Sequence, residues 1–584
     1  MSGPRRKRSR IQKRAGITRR SFLKGLGFGT ASVTGLGLLH GCGSDNNSST
    51  PTDSRTTASD NTPTQNVQFL HSVASGDPTF DSVVLWTRIT PGNGPENTNR
   101  TVAGRVDVFK DEALTLFVKS MNFQTTADQD FTVKLICDGL EQDRIYFYQF
   151  RSNGTTSPVG RTRTAPAAGN KRPLNFGVVS CSSLAHGFFN AYNKLADRDD
   201  IDAIIHLGDY IYECGTGQYG NVREYEPATE IISLGDYRTR HAQYKRDEDL
   251  QKLHARFPFI TIWDDHESTN NSYRDGAENH TEGAEGVWEE RKGFAQRAYD
   301  EWMPIRLPEP GNRAKIFRRV QFGDMVDLFM LDTRLFDRDV EAATPVNPTD
   351  GVASEPSRTM IGEEQYNFLI NGMRESQAQW KLVGNQVVFH QWIIKPGVNN
   401  PAPTPVGDLL APSGLNGDAW DGYSAERQRI INALRGDDGG PAIDNVVILT
   451  GDVHSAWVAD ITDNPNQPVD AAGGYNPATG DGSVATEFVV SSVTSPGLDV
   501  PNQIIEGIRL SSPHIKHVNV TERGYSVLRV AEDRTTCEYW AVSTILERGG
   551  SEQLSATFDV AAGANRITQQ GVFPVDEVTG LLGV

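Results

Sequence analysis

From Leu174 onward the chain repeats one arrangement, and that arrangement constrains the fold more than anything else in it. Compact apolar runs, "LNFGVVSCSS", "IDAIIHLGDY", "FPFITIWDDHE", "MVDLFMLDTR", "KLVGNQVVF", "NVVILTGDVH" and "TEFVVSS", alternate with helical stretches such as "GFFNAYNKLADRD", "EERKGFAQRAYDEW" and "EEQYNFLINGMRESQAQW". Strands alternating with helical patterns predict an α/β domain, residues 172–550, with sheets flanked by helices. In such sheets ligands bind beyond the carboxyl ends of the strands. Several of these runs stop at a polar residue in just that position. The clearest is "IIHLGDYIYE", Ile204 to Glu213, where a buried-type strand ends in a carboxylate with a phenol three residues behind it.

The strand ends together collect Cys181, Asp209, Tyr212, Asp265, His266, Asp452 and His454. A lone aspartate after a strand ordinarily caps a helix or forms a turn. Four separate strands ending in Asp, Cys or His are not explained that way. Carboxylate, thiolate, phenolate and imidazole all bind metals in their deprotonated forms, and massing them costs repulsion unless cations neutralise it. The pattern predicts a metal site.

Ahead of this domain, residues 67–165 carry short β-branched and aromatic runs ("DSVVLWTRI", "GRVDVFKD", "FTVKLICDGL", "IYFYQFRSN") bounded by turn residues. They predict a small all-β sandwich of immunoglobulin or fibronectin type. "TAPAAGNKRP" reads as the linker between the two, and residues 551–584 as a C-terminal tail.

Residues 1–41 read as an address. They hold ten Lys or Arg and no acid, so of the net charge of −17 the remainder of the chain carries −27. "TRRSFLKG", followed by a weakly apolar run to Leu39, resembles a twin-arginine export signal, which implies passage through the twin-arginine translocase to an extracytoplasmic location. Cys42 after "LLHG" resembles a lipoprotein processing site, with ordinary cleavage as the alternative. The polar tract 42–66 suits a flexible tether. So acidic a chain does not suit a nucleic-acid partner, and five scattered cysteines make no disulfide framework.

The strand-end motifs resemble those of the calcineurin-like metallophosphoesterases. "GDY" supplies the aspartate that bridges metals, Asp209. "DDHE" places Asp265 where the pattern has asparagine and His266 at its histidine. "GDVH" places Asp452 and His454 at the last motif, and "VSCS" puts Cys181 where an aspartate is usual. These departures, with "LGDYIYE", "LDTR" and the N-terminal "HSVASGDPTFDSVVLWTR", are similar to the PhoD-like alkaline phosphatases over roughly residues 67–545. The resemblance implies a phosphomonoesterase that also cleaves phosphodiesters, with one Fe3+ and Ca2+ in its site. The side chains are consistent with that. Only a strong Lewis acid holds a phenol of intrinsic pKa near ~10 deprotonated at neutral pH, and oxygen donors at Asp265 and Asp452 favour Ca2+ or Mg2+ over Zn2+.

The expected chemistry is attack by a metal-activated water or oxo/hydroxo group on a phosphate ester, by a chain acting as a monomer. Asp209, Tyr212, Cys181, Asp265, Asp452 and His454 are the expected ligands. His266 is expected to protonate the leaving alkoxide or hold the phosphate. Arg334 of "LDTR" is a candidate phosphate clamp, with a structural salt bridge as the competing role. Asn270 and His390 are candidate extra ligands, for which exposed surface positions are expected instead. Two other readings compete: a phospholipase-type or polymer-directed phosphodiesterase on the same site, and a non-enzymatic surface calcium-binding protein. A structural calcium site has no use for the thiol and phenol of Cys181 and Tyr212. Specificity is expected in the loops 215–236 and 393–422.

Overall fold

The computed structural model describes residues 67–92, 101–343, 351–394, 413–414, 416–471, 473–497 and 502–572. The export signal, Cys42 and the tether lie outside them. Among the described residues no helix is long and apolar enough to cross a membrane.

The apolar runs pair into two mixed sheets. In the first, the strands Leu174–Val179, Ala203–His206 and Pro258–Thr261 run parallel side by side. Antiparallel to Leu174–Val179 lies Gly524–Val530, followed outward by Arg534–Val542, Glu552–Ala561 and Gln569–Val572. In the second sheet, Val326–Met330, Trp380–Gly384, Val446–Thr450 and Ala485–Val489 are parallel neighbours, and Arg318–Phe322, Ala456–Ile461 and Ile515–Asn519 complete the edges.

Strand geometry sends successive side chains to opposite faces, and the second sheet divides its residues accordingly. Leu328, Leu382, Val447 and Leu449 join the core shared with the first sheet. Their immediate neighbours Phe329, Val383, Val446 and Ile448 join a separate core beneath the helices Gly362–Glu375 and Ser424–Arg435. The inner faces meet directly, with Phe176 edge-on to Phe322 at 5.0 Å. The carboxyl ends of both parallel sets therefore open toward one place. Leu234–Lys245 and Glu248–Arg256 are separate helices, because Asp247 caps the second by accepting hydrogen bonds from the backbone N–H of Asp249 and Leu250.

The N-terminal region differs from the expected free-standing sandwich. One layer is a separate sheet built from Thr101–Phe109, Phe117–Thr126, Ile145–Ser152 and Gly160–Arg163. The other layer, Val73–Gly76, Val83–Arg88 and Thr132–Cys137, is the edge of the first catalytic sheet, joined to it where Ser75 and Gly76 lie parallel to Pro258 and Phe259. Gly76 is needed at the junction, since a Cβ there would fall 2.1 Å from the carbonyl oxygen of Pro304. Just beyond it, buried Asp77 takes both Nε and Nη2 of Arg318, at 2.8 and 2.7 Å, and so ties the two catalytic sheets. Removing one partner of so buried a pair typically costs about 3–5 kcal/mol. The expected C-terminal tail is corrected as well. Residues 552–561 and 569–572 are strands that close the outer edge of the first sheet, and the alternating burial along 552–561 comes from covering one face only.

Candidate metal centre

Each expected ligand stands just past the end of a strand, and the turns that hold them are strained. Cys181, Asp209, Asp452 and His454 have φ of 59°, 56°, 62° and 56°, the left-handed region that non-glycine residues avoid. Four such residues in one place mark a site where surrounding structure enforces the geometry. Glu267, the last residue of "DDHE", supplies part of that enforcement. Its buried carboxylate accepts the backbone N–H groups of Asp209 (3.0 Å), Tyr210 (2.6 Å) and Asp264 (2.8 Å), stapling two strand-end turns together. Between them Gly208, at φ 102°, leaves no room for a side chain, because a Cβ would sit 2.4 Å from that of Asp264.

The side chains converge into three overlapping groups, each able to hold a metal ion. They are Cys181 with Asp209 and His454, Asp209 with Asp265 and His266, and Asp264 with Asp265 and Asp452; within each, the ligand atoms lie within 4.8 Å of one another. All are buried. Tyr212 completes the first group, its hydroxyl 2.8 Å from Asp209 Oδ2, 3.1 Å from His454 Nε2 and 2.6 Å from Ser495 Oγ. His454 Nδ1 lies 2.8 Å from the carbonyl oxygen of Pro496. A carbonyl only accepts, so Nδ1 carries the proton and the Nε2 lone pair faces the cluster, the orientation a ligand histidine needs.

The donor set fits cations. Asp264 lies wholly buried with Oδ2 bonded to none of the described residues. Burial pushes its carboxyl well above the usual range despite Arg334 beside it, and the charges of Asp265, Asp209 and Asp452 push the same way. Such crowding is what a bound cation relieves.

His266 is held from behind. Its Nδ1 meets Glu213 Oε2 at 2.6 Å, and Glu213 also accepts the backbone N–H of Asn270 at 2.9 Å. Burial lowers the imidazole pKa, but the charges of Glu213, Asp265 and Asp209 outweigh it and raise the value to about 10. Tyr219, from the 215–236 loop, stacks over this end at 5.6 Å from Tyr212 and 6.0 Å from His266.

Arg334 and His390 are both deeply buried. Arg334 is at the site but wholly buried, with Nε on Asp264 (2.5 Å), Nη1 on both oxygens of Asp418 (2.8 and 2.9 Å) and Nη2 on Asp452 (3.1 Å). Each of its three nitrogens meets a carboxylate, which is the arrangement of the salt bridge that competes with the phosphate-clamp role. His390 is not on the surface. It is buried in the segment after the Trp380–Gly384 strand, with Nδ1 2.6 Å from Glu487 and Nε2 accepting from the Trp392 indole. Asn270 is half-buried and donates to Glu278 at 3.0 Å. Sequence reasoning missed Asp264, Glu267, Glu213 and Ser495. The first three stand inside the motifs themselves, "DDHE" and "GDYIYE", where the neighbouring ligands drew the attention. Ser495 has no motif to reveal it.

Two mixed sheets with this constellation at their shared carboxyl ends define a phosphoric ester hydrolase of metallophosphoesterase-like architecture, and comparison with known proteins gives the family. Residues 176–539 match the model of the PhoD-like phosphatases, and residues 55–166 match that of their N-terminal domain. Alkaline phosphatase D of Bacillus subtilis (strain 168) is 33% identical over 551 residues, 92% of this chain and 87% of that protein. A solved structure of PhoD superposes with a TM-score of 0.76 at 32% identity, over 87% of this chain and 93% of that one. The chain belongs to the PhoD-like phosphatase family.

Proposed function

We propose that this phosphatase works through one Fe3+ held by Cys181, Asp209, Tyr212 and His454, with Ca2+ held beside it by Asp209, Asp264, Asp265 and Asp452. The observation that carries the proposal is the partition of the donors. The soft and phenolic ones gather on one side of Asp209, and the carboxylates on the other. Bound there, the cations supply Lewis-acid activation of water and neutralise the phosphate charge. The chain's own residues do the rest. Asp209 spans both positions, and Arg334 fixes the carboxylates of Asp264 and Asp452 from outside. His266, locked by Glu213 with Nδ1 turned away, presents Nε2 to the leaving-group oxygen as an acid. The substrates are phosphomonoesters and phosphodiesters.

Purified protein is expected to carry about one iron per chain with calcium beside it. Phenolate and thiolate on ferric iron give a visible charge-transfer band, which Tyr212→Phe and Cys181→Ser should each shift. Metal analysis with an absorption spectrum tests this, and colourless, iron-free protein of full activity would refute the assignment.

The enzyme's place is outside the cytoplasm, on the strength of "TRRSFLKG". A receptor reads the arginine pair as such and not merely as charge, so Arg19→Lys with Arg20→Lys is expected to leave unprocessed precursor in the cytoplasm. Normal accumulation outside would reject the twin-arginine route.

A further inference from the structure

The helix Leu234–Lys245 carries Tyr237 and Arg240 three residues apart, and so on one face. Both are wholly buried. Arg240 makes no ion pair with any described residue and donates to carbonyl oxygens. Nη1 reaches those of Tyr212 and Cys214, the second at 3.1 Å. Nε reaches that of Glu226 at 3.0 Å, and Nη2 those of Pro227 and Thr229 at 3.0 and 3.4 Å. The ring of Tyr225 lies 4.1 Å from the guanidinium. Burial lowers the pKa of Arg240, so the charge is held there at a cost. For packing alone an apolar side chain would serve without that cost. What the planar fork adds is a fixed place for the carbonyls.

Tyr212 and Cys214 flank Glu213, whose carboxylate meets His266 Nδ1 at 2.6 Å. The carbonyl oxygen of Glu213 itself accepts the backbone N–H of Ile231 at 3.0 Å. Three successive peptide units are therefore held. Because each unit is planar, this fixes both backbone dihedrals of Glu213 and with them the direction in which its side chain leaves the backbone. The other half of the pair is held from the same helix. The Tyr237 hydroxyl donates to the carbonyl oxygen of Ser268 at 2.6 Å. Ser268 lies between His266 and Asn270, and the backbone N–H of Asn270 meets the Glu213 carboxylate at 2.9 Å. Tyr212, by contrast, is held at its hydroxyl by Asp209 and Ser495 within the cluster.

We infer that Arg240 and Tyr237 are positioning residues for the proton donor, one face of their helix setting the spacing and aim of the Glu213–His266 pair, given the proposed role of His266 as the acid. Neither is among the candidate ligands. Their loss is expected in kcat and not in KM, and chiefly where the leaving group needs a proton.

The test uses the metal-loaded full-length enzyme, with glycerol 2-phosphate as the alkyl ester and 4-nitrophenyl phosphate as the ester whose leaving group needs no proton. Arg240→Lys keeps the charge and loses the fork, and Tyr237→Phe removes one hydroxyl. In each, kcat on glycerol 2-phosphate is expected to fall by up to about 100-fold, the cost of an ångström's misplacement. KM and metal content should stay near wild type, and 4-nitrophenyl phosphate should be far less affected. In a Glu213→Ala background, where no carboxylate remains to be aimed, Arg240→Lys is expected to cost little more. Equal loss on both esters, full additivity with Glu213→Ala, or wild-type kcat in both variants overturns the inference. Metal lost together with activity overturns it as well, since the effect would then run through Tyr212. If Arg240→Lys does not fold, Tyr237→Phe decides by the same comparison of esters. His266→Ala measured beside them separates the two failures. If it lacks the dependence on leaving group, the acid reading falls and the inference with it; if it shows that dependence and the helix variants do not, the inference alone falls.

Discussion

Asp209→Asn is expected to abolish hydrolysis of monoesters and diesters alike while the two sheets stay assembled. Asparagine keeps the shape of aspartate and tolerates its left-handed backbone at φ 56°. The substitution therefore tests charge, not the turn. What it removes is the carboxylate that links the Cys181 group to the others: Oδ2 meets the Tyr212 hydroxyl at 2.8 Å and lies 3.6 Å from His454 Nε2, and the same side chain joins Asp265 and His266 in the neighbouring group. Changes to outer residues that merely orient a ligand typically cost about 10–100-fold in metal affinity or activity. Loss of a shared ligand should exceed that, and at least one metal position should empty. Metal content and turnover should fall together, with circular dichroism near wild type. Near-normal turnover in a metal-loaded variant would reduce Asp209 to a turn residue.

His266→Ala is expected to separate chemistry from metal binding. The variant should keep its metals and turn over more slowly by roughly 10²–10⁴-fold, the usual worth of general acid catalysis. The deficit should shrink for nitrophenyl esters, whose leaving group needs no proton, and persist for alkyl esters. Loss of phosphate binding would instead harm both substrates equally. Glu213→Gln extends the test through pH. The carboxylate 2.6 Å from Nδ1 is the largest charge raising the imidazole pKa to about 10. Without it the acid form is lost at lower pH, so the alkaline limb of kcat should move down. A His266→Ala protein stripped of metal would make the imidazole a ligand, a role its place beside Asp209 and Asp265 permits.

The α/β class, the strand ends and most of the candidate ligands gathered there were legible because each is a local property. An apolar run of four to six residues is legible as a strand, and a ligand-capable residue two to four positions past its end needs no long-range knowledge to be noticed. "GDY", "DDHE" and "GDVH" each announce themselves in this way. Three things were not local. Val73–Gly76 reads as a sandwich strand because its β pattern is the same whichever strand it pairs with; only the packed chain sets Ser75 against Pro258 and makes it part of the catalytic sheet. Residues 552–561 read as a tail because they follow the last site motif, yet their alternate residues cover the face of Arg534–Val542. The charges at the site divide in the same way. Arg334 and Arg240 are both buried arginines beside the candidate ligands, and nothing in the sequence near either says which is neutralised. The first meets Asp264, Asp418 and Asp452 from three separate segments, whereas the second donates to carbonyl oxygens, those of Tyr212, Cys214, Glu226 and Pro227. Sequence alone determined which chemical groups the strand ends present. Tertiary structure decided which of those charges are already paired, because pairing depends on segments tens to hundreds of residues apart being brought within about 3 Å.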